Sequence, residues 1–415
     1  MVAGAKVIRR RHIVTSALAM PFVARAQSSG RVVVIGGGFG GATAARFLHR
    51  YDPALTVTLL EPNRGYTACP FSNLVIAGGR EMEAQQFDHH IAVVQDAAAA
   101  IDPAARTVRT AGGATMPYDR LILAPGIDFV WNGLPGYDEA AAAVFPHAWK
   151  AGEQTIRLRR QLEAMHDGGI VVMSVPPNPY RCPPGPYERA SLIAWYLKAR
   201  KPRSKIIVFD SKDTFSKQKL FQSAWKEFYP AHLEFVPLSE GGKVTRVDAS
   251  AKIFETEFGV HHADVGTVVP PQRAGAIAIQ AGVADRSGWC PIDPATFESR
   301  LVPAIHVIGD AAIAGAMPKS AFAANAQGKV CAAAVAALLR GEKPDDPRLI
   351  NTCYSLVAPD FGISVAGVYR PVNGVLADID GAGGTSPLDA PPSFREQEAR
   401  YAERWFQTIT EETFG

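Results

Sequence analysis

The stretch RVVVIGGGFGGATAARFLHRYDPALTVTLLEPN, residues 31–63, decides the fold. Val32 to Ile35 are β-branched, continuous and stopped by glycine, which is how a buried parallel strand reads. Gly36, Gly38 and Gly41 then make G-x-G-x-x-G, Ala42 to Arg50 carry helical character, and Val57 to Leu60 form a second strand ending in Glu61. Glycines permit the tight turn and the close approach of a pyrophosphate, the helix N-terminus favours its charge, and the acid accepts from ribose hydroxyls. A glycine-rich structural turn has no need of that strand–turn–helix–strand–acid order. The order predicts a dinucleotide-binding α/β unit.

Two distant segments choose the dinucleotide. Tyr118 to Gly126, YDRLILAPG, resembles the strand and turn that return to the cofactor in flavoproteins with two dinucleotide domains. Ile305 to Ala311, IHVIGDA, resembles their second FAD signature, in which the aspartate, here Asp310, bonds the ribityl chain. Asp310 alone is equally a helix cap. With a strand before it and a helix from near Ser320 after it, FAD is the expected cofactor, the helix directing its positive end at the flavin ring.

In such flavoproteins the chain leaves the FAD domain, builds a second βαβ unit for NAD(P)H, and returns. Here Ile170 to Val175 and Ile206 to Asp210 read as its first two strands, with Ser191 to Lys198 helical between them and a helix start near Glu188. The turn, however, is Pro176-Pro177-Asn178-Pro179-Tyr180-Arg181-Cys182-Pro183-Pro184-Gly185-Pro186. Proline offers no N–H to a phosphate and crowds its approach. This unit is therefore expected to bind no pyridine nucleotide, which disfavours an NADH-dependent disulfide reductase. Cys182 lies where a nicotinamide would otherwise face the flavin; on cysteine statistics alone it is a structural disulfide or a buried thiol. Cys353 is a candidate partner, Cys331 reads as helix packing, and Cys290 stays ambiguous.

The predicted fold class is α/β: two Rossmann-like dinucleotide-binding-type domains, glutathione-reductase-like, plus a smaller C-terminal interface domain. The expected boundaries are 1–26 signal peptide, 27–140 first FAD segment, 141–274 second Rossmann-like domain, 275–342 second FAD segment and 343–415 interface domain. In the first 26 residues a basic region (Lys6, Arg9, Arg10, Arg11), a weakly apolar region and Ala24-Arg25-Ala26 occur in export-signal order, and Arg10-Arg11 approximates a twin-arginine pattern. That predicts a periplasmic protein. Removing them takes away five positive charges and no negative ones, so the formal net charge moves from +3 to −2 and offers no case for nucleic-acid binding. No apolar run suggests a transmembrane segment, and the five cysteines have no zinc-type spacing, so no metal site is expected.

YRCPPGPYERA at 180–190, DSKDTFSKQ at 210–218, PPQRAG at 270–275, GWCPID at 288–293, MPKS at 317–320 and NTCYS at 351–355 are more specific than the glycine fingerprint. Through them the chain resembles the flavoprotein-subunit family of the flavocytochrome c sulfide dehydrogenases, relatives of the sulfide:quinone oxidoreductases and of glutathione-reductase-type flavoproteins. The resemblance implies a redox-active disulfide between Cys182 and Cys353 and a thioether from Cys69 to the flavin. It also implies sulfide as substrate and a c-type cytochrome subunit forming a heterodimer. Hydrosulfide attack on a disulfide leaves a persulfide and a thiolate able to reduce a flavin. Glu188 is a candidate proton relay or a helix-terminal charge, and Lys319 a candidate for the flavin edge or an exposed lysine. The expected cofactor-binding residues are Gly36, Gly38, Gly41, Glu61, Cys69, Gly126, Gly309, Asp310 and Lys319. The chain has no CxxCH, so any haem c sits on a separate partner. A sulfide:quinone reductase and a non-catalytic flavoprotein scaffold are the alternatives.

Overall fold

The computed structural model describes Met1, Val2, Gly4 and residues 30–415. The export signal read over residues 1–26 lies, apart from those three residues, outside them.

The first Rossmann unit starts with β1 (Arg31–Ile35), α1 (Phe39–Tyr51), β2 (Thr56–Leu60), β3 (Val93–Val94) and β4 (Arg120–Leu123). Val32 to Ile35 are buried, each apolar side chain contributing about 1.5–3 kcal/mol of burial free energy. The chain leaves through Ile127–Phe129, which pairs antiparallel with the returning Gln272–Ala274. Between those points lies the second unit: β5 (Ile170–Val175), α2 (Gly185–Arg200), β6 (Lys205–Asp210), α3 (Gln218–Phe228), β7 (Leu233–Val236) and β8 (Val265–Val268). Its parallel sheet runs β7-β6-β5-β8. A three-stranded antiparallel sheet over 244–262 is inserted before β8.

After the return, β9 (Ile305–Val307) pairs with β4 and completes the first sheet in the order β9-β4-β1-β2-β3. α4 (Ala321–Leu339) then packs beside α1. The C-terminal part is β10 (Leu349–Ala358), β11 (Phe361–Val372), β12 (Val375–Asp378) and α5 (Pro392–Phe414). α5 packs on β11 and β10.

Two expectations need correction. α2 begins at Gly185, not near Glu188, because Pro186 falls in the first turn, where a missing N–H costs nothing. And α4 has, by length and composition, what a membrane span requires; more than half of its most apolar window is buried inside the protein, with Asn325 bonded to Thr43 of α1 at 2.9 Å.

The turn from β1 to α1 tolerates no side chain at two places. Gly36 has φ +100°, and a Cβ on Gly41 would lie 1.8 Å from the Gly36 carbonyl oxygen. Gly41→Val is therefore expected to destabilise by about 3 kcal/mol and to lower Tm by several degrees; a melting curve matching the parent's contradicts this packing.

Candidate functional site

All three parts converge on a cavity of about 600 Å³. One end is the β1–α1 turn, Gly36 to Gly40, where the first turn of α1 holds no acid. Glu61, just past β2, turns back over this loop: its Oε2 accepts from Gly37 N at 2.8 Å and its Oε1 from the Asn63 side chain at 2.8 Å. Gly126 and Gly309 also line it, and the N-terminus of α4, capped by Ser320, opens into the cavity at Ala321 and Phe322. Gly41 supports the turn from behind and is not in the lining.

Asp310 lines the same wall. Its Oδ1 is buried with no hydrogen-bond partner, and its Oδ2 lies 3.9 Å from the Arg181 guanidinium. Burial pushes its carboxyl above the usual range, with Arg181 and Lys319 opposing. An orphaned acceptor in a cavity wall, beside a glycine turn and two acid-free helix starts, fits the hydroxyls and phosphates of FAD. Lys319 is placed differently from the expectation. Its ammonium donates to the carbonyls of Asp310 at 2.8 Å and Ala312 at 2.7 Å, lies 3.9 Å from the Trp289 ring centre, and is not in the lining.

The cysteine end draws on all three parts. Cys182 sits in the loop before α2 with left-handed backbone, φ 57°, its N–H donating to the Lys319 carbonyl at 2.9 Å. Cys353 is carried by β10, and Asn351 Nδ2 approaches its sulfur at 3.3 Å. Cys69 approaches the Trp149 carbonyl at 3.7 Å. All five cysteines are free thiols in the structure, and Cys69, Cys182 and Cys353 line the one cavity. Burial drives the Cys182 thiol far upward, and neighbouring Cys353 and Glu188 add to it against Arg181 and Lys217. Cys290 and Cys331 are buried elsewhere.

Glu188 accepts from Asn73 Nδ2 at 3.2 Å and from Leu356 N at 3.1 Å. Burial raises its carboxyl above the ordinary glutamate range, so it keeps a proton to higher pH. Beside it Arg189, 1% exposed, donates to Asn73 Oδ1 and to the carbonyls of His147 and Ala148. Sequence reasoning did not single out Asn73, Arg181, Arg189 or Lys217 as site residues, though the last three lie in quoted motifs and Asn73 is four residues after Cys69. It also missed α5, whose Ala402 and Trp405 line the cavity.

In the second unit, Asp210 ends β6, the position of a ribose-binding acid. It is fully buried, accepting from Tyr187 OH at 2.5 Å and from Lys212 Nζ at 2.5 Å. Tyr187 stacks on Phe215 with centroids 3.6 Å apart. The first turn of α2 holds the acid Glu188, unlike the acid-free starts of α1 and α4. Among the described residues, no group of three or more His, Cys, Asp or Glu could hold a metal ion.

Residues 155–270 match the family described as Sulfide dehydrogenase (flavocytochrome c) flavoprotein chain, central, and residues 345–414 that described as Flavocytochrome c sulphide dehydrogenase, flavin-binding. Residues 30–163 match the Pyridine nucleotide-disulphide oxidoreductase family. The chain is 58% identical over 45 residues to the sulfide dehydrogenase (flavocytochrome c) flavoprotein chain of Chlorobaculum thiosulfatiphilum, covering 11% of this chain and 94% of that one. It is 25% identical over 331 residues to the mitochondrial sulfide:quinone oxidoreductase of Mus musculus, 75% of this chain and 72% of that one. Among solved structures, the sulfide:quinone oxidoreductase of Aquifex aeolicus superposes with TM-score 0.73 at 18% identity over 92% of both chains, a likeness of fold.

The flavin-binding match and the cradle around Asp310 make one expectation. In a Cys69→Ala background, where no bond through that sulfur can hold the cofactor, Asp310→Ala should weaken FAD binding to the apoprotein about tenfold or more. Fluorescence titration checks this, and unchanged affinity would remove Asp310 from the cradle.

Proposed function

This chain belongs to the flavoprotein family of the flavocytochrome c sulfide dehydrogenases, and we propose that it oxidises sulfide to sulfane sulfur through Cys182, Cys353 and FAD, passing electrons to a c-type cytochrome on another chain. The observation that carries the reading is the meeting of Cys182 and Cys353, from separate parts of the chain, in the cavity that also holds the dinucleotide turn and Asp310. The export-signal pattern in residues 1–26 supports a periplasmic location, and Cys69 in the same cavity supports a thioether to the flavin.

In this mechanism the Cys182–Cys353 pair starts as a disulfide. Hydrosulfide attacks one sulfur; a new sulfur–sulfur bond forms to the substrate, the Cys–Cys bond breaks, and its electron pair leaves on the other cysteine as thiolate. A second hydrosulfide accepts the bound sulfur as HSS⁻ while the Cys182–Cys353 bond reforms, with release of one proton and two electrons. FAD, when bound, supplies the two-electron acceptor that releases electrons singly to a one-electron partner. Glu188, holding its proton to higher pH than an ordinary glutamate and fixed by Asn73 and Leu356 N, takes up and returns the substrate proton. The committed Asp210 and the proline loop leave the second unit without a place for a nicotinamide nucleotide.

A quinone as acceptor is the second reading, supported by the similarity to the mouse sulfide:quinone oxidoreductase over three quarters of the chain. A flavoprotein that only supports an electron-transfer partner is the third. Cys182→Ser should reduce sulfide-driven bleaching of the flavin by at least about a thousandfold while leaving the flavin bound. Survival of the activity would overturn the cysteine mechanism, and rates with cytochrome c and a soluble quinone separate the acceptors.

A further inference from the structure

Lys217 is the last residue before α3, in the second Rossmann unit, yet its side chain ends in the C-terminal part. It is 7% exposed, with left-handed backbone at φ 62°. Its ammonium donates to the Cys353 carbonyl at 2.9 Å and the Ser355 hydroxyl at 2.8 Å, with the Ile363 carbonyl at 3.5 Å. All three acceptors are neutral. A buried ammonium held by neutral groups costs free energy, and such a cost points to a charge needed elsewhere.

The titratable groups that face it are Cys353, Glu188 on α2, Cys182 and Glu398 on α5, in that order of influence. Glu398 is already taken: it accepts from the hydroxyls of Ser364 and Ser386, each at 2.6 Å, and from Arg395 at 3.3 Å. Glu188 is likewise taken, accepting from Asn73 and from Leu356 N. What remains for the ammonium is the sulfur pair. Of the two cysteines, Cys353 is the one whose backbone the ammonium bonds.

We propose that Lys217 is a positioning residue for the cysteine pair: it clamps the Cys353 strand to the second Rossmann unit and supplies the positive charge that stabilises Cys353 as anionic sulfur. This rests on the cysteine mechanism above. When hydrosulfide opens the disulfide, the electron pair of the broken bond resides on one cysteine as thiolate, and loss of the proton from the persulfide places a second negative charge on the other. On either course Cys353 becomes anionic, and the cation bonded to its backbone carbonyl favours that form. Burial lowers the Lys217 ammonium to about 8, so the charge is present below that pH and is lost as the pH rises through it.

The test uses the flavin-loaded full chain in a Cys182→Ser background, which leaves Cys353 as a single thiol in the cavity's reactive pair. Iodoacetamide modification of Cys353, located by peptide mass spectrometry, is compared for Lys217, Lys217→Met and Lys217→Arg. Lys217→Met should slow modification at pH 7 about tenfold, and Lys217→Arg should restore it to within about threefold. Arginine keeps its charge at pH 9, so the Arg-to-Lys rate ratio should rise about threefold or more between pH 7 and pH 9. Equal rates for the Lys and Met chains at matching Tm, or an Arg chain that behaves like the Met chain, overturn the proposal. If Lys217→Met does not fold, a flat Arg-to-Lys ratio overturns it alone. Sulfide bleaching of the Cys182→Ser chain tests the cysteine mechanism separately, since Cys353 modification contains no sulfide step.

Discussion

A chain of hydrogen bonds, from buried Arg189 through Asn73 to half-buried Glu188 and on to the backbone of Leu356, ties the three parts of the molecule together. Asn73 belongs to the first FAD segment, Arg189 and Glu188 to the second Rossmann unit, and Leu356 to the strand that carries Cys353. Arg189 is anchored further by the carbonyls of His147 and Ala148 and by the Thr267 hydroxyl. Each member satisfies a group that would be costly to leave unpaired at this depth. Such a network allows one arrangement of the three parts, and that arrangement sets Cys182 and Cys353 on the cavity wall.

The second Rossmann unit keeps its fold while the polar groups at its β5–α2 turn bond one another. The parallel sheet, the crossover helix and the acid at the end of β6 are all in place. Yet Asp210 bonds Tyr187 and Lys212, and Lys212 also reaches the Pro176 carbonyl at 3.2 Å. The loop that would turn around a pyrophosphate bears prolines and Cys182 instead. With those groups bonded to each other, the unit carries Cys182 to the cavity wall.

The first unit was legible in the sequence because its signals are local. A β-branched run, three glycines and an acid at fixed spacing describe one turn and its neighbours, and β1, α1 and β2 lie where those signals put them. Local rules also misled. α2 was read as starting near Glu188, although its first turn accepts Pro186, and the apolar alanines of α4 do not announce their length because Lys329, Asn325 and Gln327 interrupt them. The polar network was illegible for a different reason: Asn73 and Arg189 are 116 residues apart, and Lys217 and Cys353 are 136 apart, so no spacing relates them. The C-terminal part was read only as an interface domain; Trp405 on the cavity wall follows from how α5 docks on β10 and β11, which pattern alone does not specify.

The account's central claim is that electrons enter from sulfur and not from a nicotinamide. Anaerobic addition of sulfide, and separately of NADH, to the purified flavin-loaded chain tests it most directly, with the oxidised-flavin absorbance as readout. Sulfide alone should bleach the flavin, and NADH should leave it unchanged. Bleaching by NADH and none by sulfide would mean that the proline loop admits a nucleotide and that the cysteine pair is not the entry point.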